Sequence, residues 1–212
     1  MKVLVACEES QAICKEFRNL GIEAYSCDLK DCSGGHPEWH LKMDLFKAIK
    51  LHKFDLLIAH PPCTFLALSG NRWMNSPLYP NRQIDRYEAI IFFLKIALID
   101  IPHIAIENPI GIMSKIYKKP SQIIQPWMFG DNAQKTTCLW LKNLPNLTPT
   151  NIVDKGEFVV TKSGKKLPKW YSDALKSKTP EERRTIRSKT FPGIAKAIAT
   201  QWSEYLRKEE NK

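Results

Sequence analysis

The sequence lacks a long apolar run, a cysteine framework and an internal repeat, and each absence excludes a class of protein. No stretch approaches the roughly 18 apolar residues that a membrane span needs. The six cysteines include no Cys-x-x-Cys pair, so we expect small buried thiols in a reducing compartment. The amino-terminal apolar run ends at Cys7, which is too short for a signal peptide. These absences predict a soluble, cytoplasmic protein with no membrane partner.

The charge of the chain is unevenly distributed. Its 212 residues are 43% hydrophobic, which suits one globular domain of ordinary size. Residues 142–212 hold 16 Lys and Arg against 8 Asp and Glu, a net charge of +8, whereas residues 1–141 hold 16 against 14, a net charge of +2. A near-neutral body with a basic final third predicts a polyanion bound on one side. The alternative is a basic surface that serves only solubility.

Short apolar runs alternate with amphipathic segments along the first two thirds of the chain. Strands are predicted at 3–6, 22–27, 54–59, 103–106 and 137–141, with a weak strand that ends at Asp44. Helices are predicted at 10–20, 45–51, 84–99 and 193–206. This alternation predicts βαβ units and an α/β fold with a mostly parallel central sheet. Residues 142–190 have weak periodicity and predict an irregular region with a hairpin near 158–164.

Two of the predicted strands end at proline beside a chemically useful side chain. One run stops at two prolines, which cannot donate to a strand ladder, and Cys63 follows them. The next run along the chain ends in Glu107-Asn108-Pro109. Because ligands bind at the carboxyl ends of strands in open α/β sheets, the thiol and the carboxylate predict one active site. The alternative is a structural cysteine beside a turn and an ordinary strand end.

The first predicted turn, Cys7-Glu8-Glu9-Ser10, contains no glycine. A backbone cradle for a pyrophosphate is therefore not expected, and an acidic turn repels phosphate. Such a turn can accept hydrogen bonds from a cofactor with an amino group, and Asp28 follows about 20 residues later, where an acid binds ribose hydroxyls. This pattern favours S-adenosylmethionine over a nicotinamide dinucleotide. The alternative is a simple helix cap made by Glu9 or Ser10.

A thiol paired with a carboxyl group suits covalent catalysis on a cytosine ring. A thiolate adds to C6 when a carboxylic acid hydrogen-bonded at N3 accepts the build-up of electrons, and C5 then attacks an activated methyl group. This chemistry assigns Cys63 as the nucleophile and Glu107 as the acid. The thiol needs a lowered pKa to react as a thiolate.

On these residues the chain resembles the cytosine-C5 DNA methyltransferases, in particular small phage-type members. Pro62-Cys63 resembles the family's Pro-Cys nucleophile motif, and Glu107-Asn108-Pro109 resembles its Glu-Asn-Val motif. The resemblance implies a Rossmann-like methyltransferase fold that uses S-adenosylmethionine and flips the target base out of the DNA stack. It further implies that Glu107 contacts N3 and the amino group of the cytosine, and that Asn108 orders the loop of the nucleophile.

The same resemblance implies which residues bind the cofactor and the DNA. Asp28 is similar to the acid that binds the cofactor ribose, and Asp44 to the acid that binds the adenine amino group. The implied cofactor-binding residues are Cys7, Glu8, Ser10, Asp28, Leu29, Asp44 and Pro61. The implied DNA-binding residues are Arg72, Trp73, Gln134, Lys135, Lys165, Lys166, Arg183 and Arg184. Gln134-Lys135-Thr136 is similar to the family's Gln-x-Arg-x-Arg motif but lacks its arginines.

The resemblance divides the chain into three parts. Residues 1–141 are the expected catalytic core, 142–187 a small basic target-recognition region, and 188–212 a carboxyl-terminal helix that returns to the core. Since basic side chains position the phosphate backbone without reading sequence, we expect DNA binding with a short or relaxed target site and a strong dependence on salt. A phage-encoded member acts in the cytoplasm of the host cell.

Four alternatives remain open from the sequence alone. The same chemistry on RNA or a free nucleotide fits the short recognition region, and a catalytically degenerate methyltransferase fold could bind nucleic acid or a protein. A zinc site is possible at Cys27, Cys32, His36 and His40, although their spacing matches no common ligand pattern. His60-Pro-Pro-Cys63 also resembles the Asp/Asn-Pro-Pro-aromatic motif of amino-group methyltransferases, but that reading leaves Glu107 unexplained.

Overall fold

The structure, a computed structural model, describes residues 1–210, with the side chain of Pro180 set aside. Strands and helices alternate in the first half of this range. The strands are β1 (Lys2–Ala6), β2 (Glu23–Asp28), β3 (His40–Lys42), β4 (Leu56–Ala59), β5 (His103–Asn108), β6 (Gln122–Ile124), β7 (Thr137–Lys142), β8 (Phe158–Val160) and β9 (Lys166–Pro168). The helices are α1 (Ala12–Asn19), α2 (Leu45–Leu51), α3 (Arg82–Ala97), α4 (Met113–Ile116), α5 (Lys169–Leu175), α6 (Pro180–Ser188) and α7 (Pro192–Glu210).

Seven of the strands within the described range form one sheet in the order β3-β2-β1-β4-β5-β7-β6. β1 to β5 are mutually parallel, and β7 runs antiparallel to both β5 and β6. The predicted α/β class with a mostly parallel central sheet is confirmed. The chain winds outward from β1 to β3 and then reverses through β4 and β5. This reversal opens a crevice at the carboxyl ends of β1 and β4, where ligands bind in open α/β sheets.

Helices cover both faces of the sheet, which explains why its central strands are apolar without a break. All four residues of β4 are buried. On one face, α1 and α7 pack over a cluster that includes Phe17 and Trp202. On the other face, α2 and α3 pack over a second cluster that includes Leu45, Phe93 and Trp140. The two helical layers cover the faces of the sheet, and its carboxyl edge stays accessible to ligands.

Helix α7 is held in place by contacts at its first turn and along its length. Asp131 Oδ2 accepts the Gly193 N–H at 2.9 Å, which satisfies one of the free amides of the first turn of α7. Gly193 lies against the Phe129 carbonyl so closely that a Cβ there would clash. Farther along, Trp202 is fully buried and its Nε1 donates to the Pro145 carbonyl at 3.0 Å. The predicted helix is confirmed and extends to Glu210.

The structure differs from the sequence prediction mainly in the polar last third. The predicted hairpin is confirmed as β8 and β9, but α5 and α6 fall in the region predicted to be irregular. α6 has a capping threonine, Thr179, whose Oγ1 accepts the Glu182 N–H at 3.0 Å, and proline at its first position, a typical helix start. Its charged sequence has no apolar stripe, so periodicity could not reveal it. β6, only three residues long, was also missed.

Within residues 1–210, no helix is both long and apolar enough to cross a membrane.

The last two residues of the predicted 188–212 segment lie outside the described range. No side chain needed for the site falls there.

Trp202→Ala is expected to lower the free energy of unfolding by about 3–5 kcal/mol, because it empties a large buried volume and leaves the Pro145 carbonyl without its donor. Urea denaturation measures the change. Tyr87, 66% exposed on α3, provides the matched aromatic control, and Tyr87→Ala should change stability by less than about 0.5 kcal/mol. Equal losses in both variants would contradict this account of the packing of α7.

Candidate active site

Cys63 lies just beyond the end of β4, in the middle of the sheet between β1 and β5. Pro61 and Pro62 end the strand, and the Cys63 carbonyl accepts the Leu66 and Ala67 N–H groups at 3.1 and 2.9 Å. These bonds form a tight turn directly after the cysteine. The turn presents Cys63 as a solvent-exposed residue at the carboxyl edge of the sheet, as the sequence predicted.

The loop after Cys63 is joined to the loop after β5. Asn108 is buried, and its Nδ2 donates to the Pro61 carbonyl at 2.7 Å. Farther on, the Leu68 N–H donates to the Ile110 carbonyl at 3.1 Å, and the Ile112 N–H to the Leu66 carbonyl at 2.9 Å. The two loops therefore move as one unit, which fixes the cysteine relative to the end of β5.

Two arginines on α3 also hold the loop after Cys63. Arg82 Nη2 donates to the Thr64 carbonyl at 3.3 Å, and Arg86 Nε donates to the Phe65 carbonyl at 2.9 Å. The Arg82 guanidinium also stacks over the Phe65 ring, 5.2 Å from its centroid. The sequence analysis missed both residues, because their partners are main-chain carbonyls about 20 residues away that no motif marks.

Glu107 faces His60 across the ends of β5 and β4. His60 Nδ1 lies 3.1 Å from Glu107 Oε2, and the two side chains are only 14% and 21% exposed. Burial by itself raises the pKa of Glu107, but the hydrogen bond from His60, the charge of His60 and the charge of Lys135 outweigh it, and the pKa ends below its ordinary value. Glu107 is therefore ionised at neutral pH.

The Cys63 thiol is not activated in this state. Its residue is exposed, yet its sulfur lies among groups crowded enough to desolvate it, and this burial together with the Glu107 charge raises the pKa of the thiol. Lys135 and Arg187 act in the opposite direction. Since the thiolate is the nucleophile, the site holds its cysteine largely as the unreactive thiol until the local charge balance changes.

The two cations beside Cys63 come from separate segments. Lys135, just before β7, donates from Nζ to the Lys189 carbonyl at 3.0 Å. Arg187, on α6, stacks over Tyr171 at 4.8 Å from the ring centroid. Lys135 was predicted as a DNA contact, whereas Arg187 was noted only as part of the basic excess. The spacing of residues in the sequence does not predict that Arg187 lies near the thiol, because tertiary packing brings α6 close to Cys63.

The predicted cofactor acids converge at the ends of β1, β2 and β3. Burial and the charges of Asp28, Cys27 and Asp44, in this order, raise the pKa of Cys7 to about 12. Both carboxylates therefore lie near the turn after β1, whose first residue, Cys7, adopts a left-handed φ of 58°. Carboxylate oxygens near this turn are acceptors, which suit hydroxyl and amino groups of a ligand.

Each of these acids also has a local partner. Asp44 Oδ1 accepts the Phe46 and Lys47 N–H groups at 2.9 and 3.2 Å and so caps α2. Asp28 Oδ1 accepts the Lys30 N–H at 3.0 Å. Leu29, between them in the predicted set, is 72% exposed, and Pro61 is buried with its carbonyl bonded to Asn108. Asp44 thus has a structural role whatever ligand it meets.

The turn after β1 is built differently from the sequence prediction. The alternative that Glu9 or Ser10 caps α1 is not what the structure shows, because Glu8 does so: its carboxylate accepts the Ile13 N–H at 2.7 Å and the Cys14 N–H at 3.3 Å. Glu8 is 4% exposed. Burial raises its pKa, and the charge of His60 opposes this rise.

The start of α1 is also later than predicted. Gln11, buried with a left-handed φ of 58°, precedes the first helical residue Ala12. Its side-chain Oε1 accepts the His36 N–H at 3.1 Å, and its Nε2 donates to the His36 carbonyl at 2.8 Å. The Ser33 N–H donates to the Glu9 carbonyl at 2.8 Å. The loop between β2 and β3 therefore covers the first turn, with Ser10 half-buried beneath it.

The predicted DNA-binding residues lie in three places. Arg72 is exposed on the loop after Cys63, with its guanidinium 4.9 Å from the ring centroid of half-buried Trp73. Gln134, beside Lys135, accepts the Trp170 Nε1–H through its main-chain carbonyl at 3.0 Å. The remaining four lie on the β8–β9 hairpin and α6, with Lys165, Lys166 and Arg184 exposed and Arg183 half-buried.

The alternative zinc residues have other partners. Cys27 Sγ donates to the Met43 carbonyl, Cys32 Sγ to Gln11 Oε1, His36 pairs with Glu38, and His40 Nδ1 lies 2.8 Å from Ser26 Oγ. Across residues 1–210, no three His, Cys, Asp or Glu side chains are grouped to hold a metal ion.

No protein-family model matches this chain, and no curated protein matches it. Many solved structures are similar to it, among them the following three. One comes from a prophage in E. coli and has been suggested to be a DNA modification methyltransferase, with 13% identity over 85% of this chain and a TM-score of 0.48. The S. pombe Dnmt2 methyltransferase has 16% identity over 69% and a TM-score of 0.46. The Entamoeba histolytica methyltransferase EhMeth has 13% identity over 85% and a TM-score of 0.47. This chain spans 56%, 50% and 61% of their lengths, respectively.

Glu107→Gln is expected to speed alkylation of Cys63 by iodoacetamide about three- to tenfold near neutral pH. The loss of the carboxylate charge lowers the pKa of the thiol, and one pKa unit changes the thiolate fraction about tenfold. Lys135→Met should slow the same reaction. Peptide mass spectrometry follows Cys63 separately from the other cysteines.

Glu38→Gln is the matched control, because Glu38 is an exposed carboxylate that pairs with His36 away from the thiol. It should leave the alkylation rate unchanged. An unchanged rate in Glu107→Gln would contradict the electrostatic coupling of Glu107 to Cys63.

Proposed function

We propose that this protein transfers a methyl group from S-adenosylmethionine to C5 of a cytosine in DNA, through a covalent adduct with Cys63. One observation carries the proposal: the Cys63 thiol and the Glu107 carboxylate meet at the carboxyl ends of neighbouring parallel strands, close enough for the charge of Glu107 to act on the thiol. The pair supplies a sulfur nucleophile and a carboxyl group at one edge of the sheet, which addition to a pyrimidine ring requires.

The residues present fit the cofactor. Asp28 and Asp44 both face the turn at Cys7, and their carboxylates are suited to accept from ribose hydroxyls and an adenine amino group. S-adenosylmethionine, when bound there, supplies the electrophilic methyl group that C5 of the activated ring takes up. Cys63 forms the bond to C6, Glu107 holds the proton at N3, and Asn108 keeps the cysteine loop in register with Glu107 through the Pro61 carbonyl.

A polyanion is the substrate that the charge distribution supports. The cations of the β8–β9 hairpin and α6 continue to Arg187 and Lys135, which act on the thiol itself. Backbone phosphates bound along this path would bring a base to Cys63, and the base must leave its stack to reach the thiol. Arg72 and Trp73, on the nucleophile loop, are placed to contact the strand beside the target base.

Duplex DNA of random sequence that contains 5-fluorocytosine is expected to trap the enzyme when S-adenosylmethionine is present. The fluorine replaces the C5 hydrogen whose removal frees the enzyme, so the bond from Cys63 to C6 persists. A denaturing gel detects the adduct. Cys63→Ser should abolish it, whereas Cys32→Ser, the control at a half-buried cysteine, should retain it.

Parallel reactions with fluorocytosine RNA and with a fluorinated cytidine nucleotide test the substrate class. An adduct on RNA or nucleotide alone would overturn the assignment of DNA and keep the C5 chemistry. No adduct and no methyl transfer on any of the three would overturn the enzyme assignment.

Asp28→Asn and Asp44→Asn are each expected to weaken binding of S-adenosylhomocysteine about tenfold in calorimetry, because each removes a charged acceptor worth about 1.5 kcal/mol. Asparagine is an equally good helix cap, so Asp44→Asn isolates the ligand contact from the stability of α2. Asp31→Asn is the control, since Asp31 is exposed and pairs with Lys42. Unchanged affinity in both variants would place the cofactor elsewhere.

A further inference from the structure

His60 lies between two carboxylates at the topological reversal of the sheet. Its Nδ1 is 3.1 Å from Glu107 Oε2 on one side, and its charge acts on the buried carboxyl of Glu8 on the other. Its main-chain N–H donates to the Ala6 carbonyl at 3.0 Å, which extends the pairing of β1 with β4. Nε2 is buried and has no hydrogen-bond partner within residues 1–210. His60 therefore interacts with groups of the candidate site in addition to ending β4.

His60 is hydrogen-bonded to Glu107 and not to the Cys63 thiol, so any proton it exchanges goes to or from the carboxylate. Addition of a thiolate to C6 pushes electrons towards N3, which must then receive a proton. Glu107 is ionised in the resting site, and a carboxylate without a proton has none to give. A neighbouring group that carries a proton and is already hydrogen-bonded to Glu107 removes this difficulty.

We propose that His60 is a positioning residue that stores one proton beside Glu107 and passes it to that carboxylate when a cytosine enters, an inference that rests on the function proposed above. Cys63, which is exposed, first loses its proton to solvent. Its sulfur then bonds to C6 while the C5–C6 π electrons shift towards N3. His60 Nδ1 gives its proton to the Glu107 carboxylate, and Glu107 passes that proton to N3. As C5 takes up the methyl group, the C4–N3 double bond re-forms and N3 returns the proton to the pair. Loss of the C5 hydrogen to water as a proton then restores the C5–C6 double bond and releases the sulfur as a thiolate.

The charged groups around the pair support one shared proton. Glu8 faces His60 from the turn after β1; burial raises the pKa of this carboxyl, and the charge of His60 opposes the rise. Lys135 faces Glu107 from the segment before β7 and favours the carboxylate. On β7, burial and the Glu107 charge raise the pKa of Cys138 to about 11, so that thiol stays neutral.

The remaining side of the pair is closed and largely apolar. A cavity of about 10 Å³ separates His60 and Glu107 from the start of α7, enough for roughly one water molecule. The α7 side contributes Thr190, Phe191, Ile194 and Ile198, none of which is charged. Uncharged side chains of the α7 side therefore flank the pair here, beside Lys135.

His60→Asn provides the sharpest test. The asparagine Nδ2 reaches about as far as the histidine Nδ1 and can keep the hydrogen bond to Glu107, but it cannot carry a transferable proton. We expect kcat for methyl transfer at about pH 8 to fall about 10- to 100-fold, with KM for DNA changed less than about twofold. The alkaline limb of the kcat profile should move to lower pH by about one unit or more, because only Glu107 is left to hold the proton.

A purely structural role for His60 predicts a different result. It would leave His60→Asn close to wild type, or lower kcat equally at every pH without moving the limb, and either outcome overturns the proposal. His103→Asn is the matched control, because His103 Nε2 lies 3.2 Å from Glu209 at the opposite end of β5. It should keep the wild-type profile.

A second readout needs no activity and separates this inference from the proposed function. Carbon-13 NMR of the Glu107 carboxyl should show its pKa rising in His60→Asn and rising further in His60→Ala, since first the charge and then the hydrogen bond is lost. An unchanged pKa of Glu107 in both variants would show that the pair does not exist. If the wild-type protein methylates no substrate while the pKa of Glu107 still rises in the variants, the pair exists but the proposed function is wrong. The proposed catalytic role of the pair is then wrong as well.

Discussion

The hydrogen bond from Asn108 Nδ2 to the Pro61 carbonyl, 2.7 Å long and buried, is the contact on which the site depends. β4 and β5 pair up to Ala59 and Ile106, and beyond that point two consecutive prolines leave β4 without main-chain donors. The asparagine side chain donates to the Pro61 carbonyl and so joins the two segments where the ladder ends. Together with the main-chain bonds from Leu68 to Ile110 and from Ile112 to Leu66, it fixes the turn of Cys63 relative to Glu107.

The chemistry of the site follows from competing charges in a small space. In the resting structure the thiol keeps its proton and the carboxylate lacks one, whereas addition to cytosine needs the reverse. Lys135 and Arg187 favour the thiolate, and His60 is hydrogen-bonded to Glu107. A thiol held in this way is protected from unwanted alkylation and oxidation, since reactivity follows the thiolate fraction.

The sequence allowed those features to be predicted that depend on local patterns. Apolar runs located the central strands, and the prolines after β4 and β5 placed Cys63 and Glu107 at one edge, because proline ends a ladder wherever it occurs. Features that depend on long-range packing were not predicted. Arg82, Arg187 and the partner of His60 act across elements far apart in the chain, and α6 is too polar to show a periodic face. The alternative cap of α1 by Glu9 or Ser10 does not form, because a buried glutamate, Glu8, takes the place of the usual short polar residues.

The glycine-free first turn has a physical explanation in the structure. Glycine-rich turns leave the amides at a helix N-terminus open for phosphate, but here the Glu8 carboxylate already accepts two of them, from Ile13 and Cys14. A negative charge at that position also cancels the positive end of the helix dipole. Gln11 then ties the turn to the loop at His36. Side-chain hydrogen bonds from Glu8 and Gln11 therefore build this turn, where a phosphate-binding turn would use glycine.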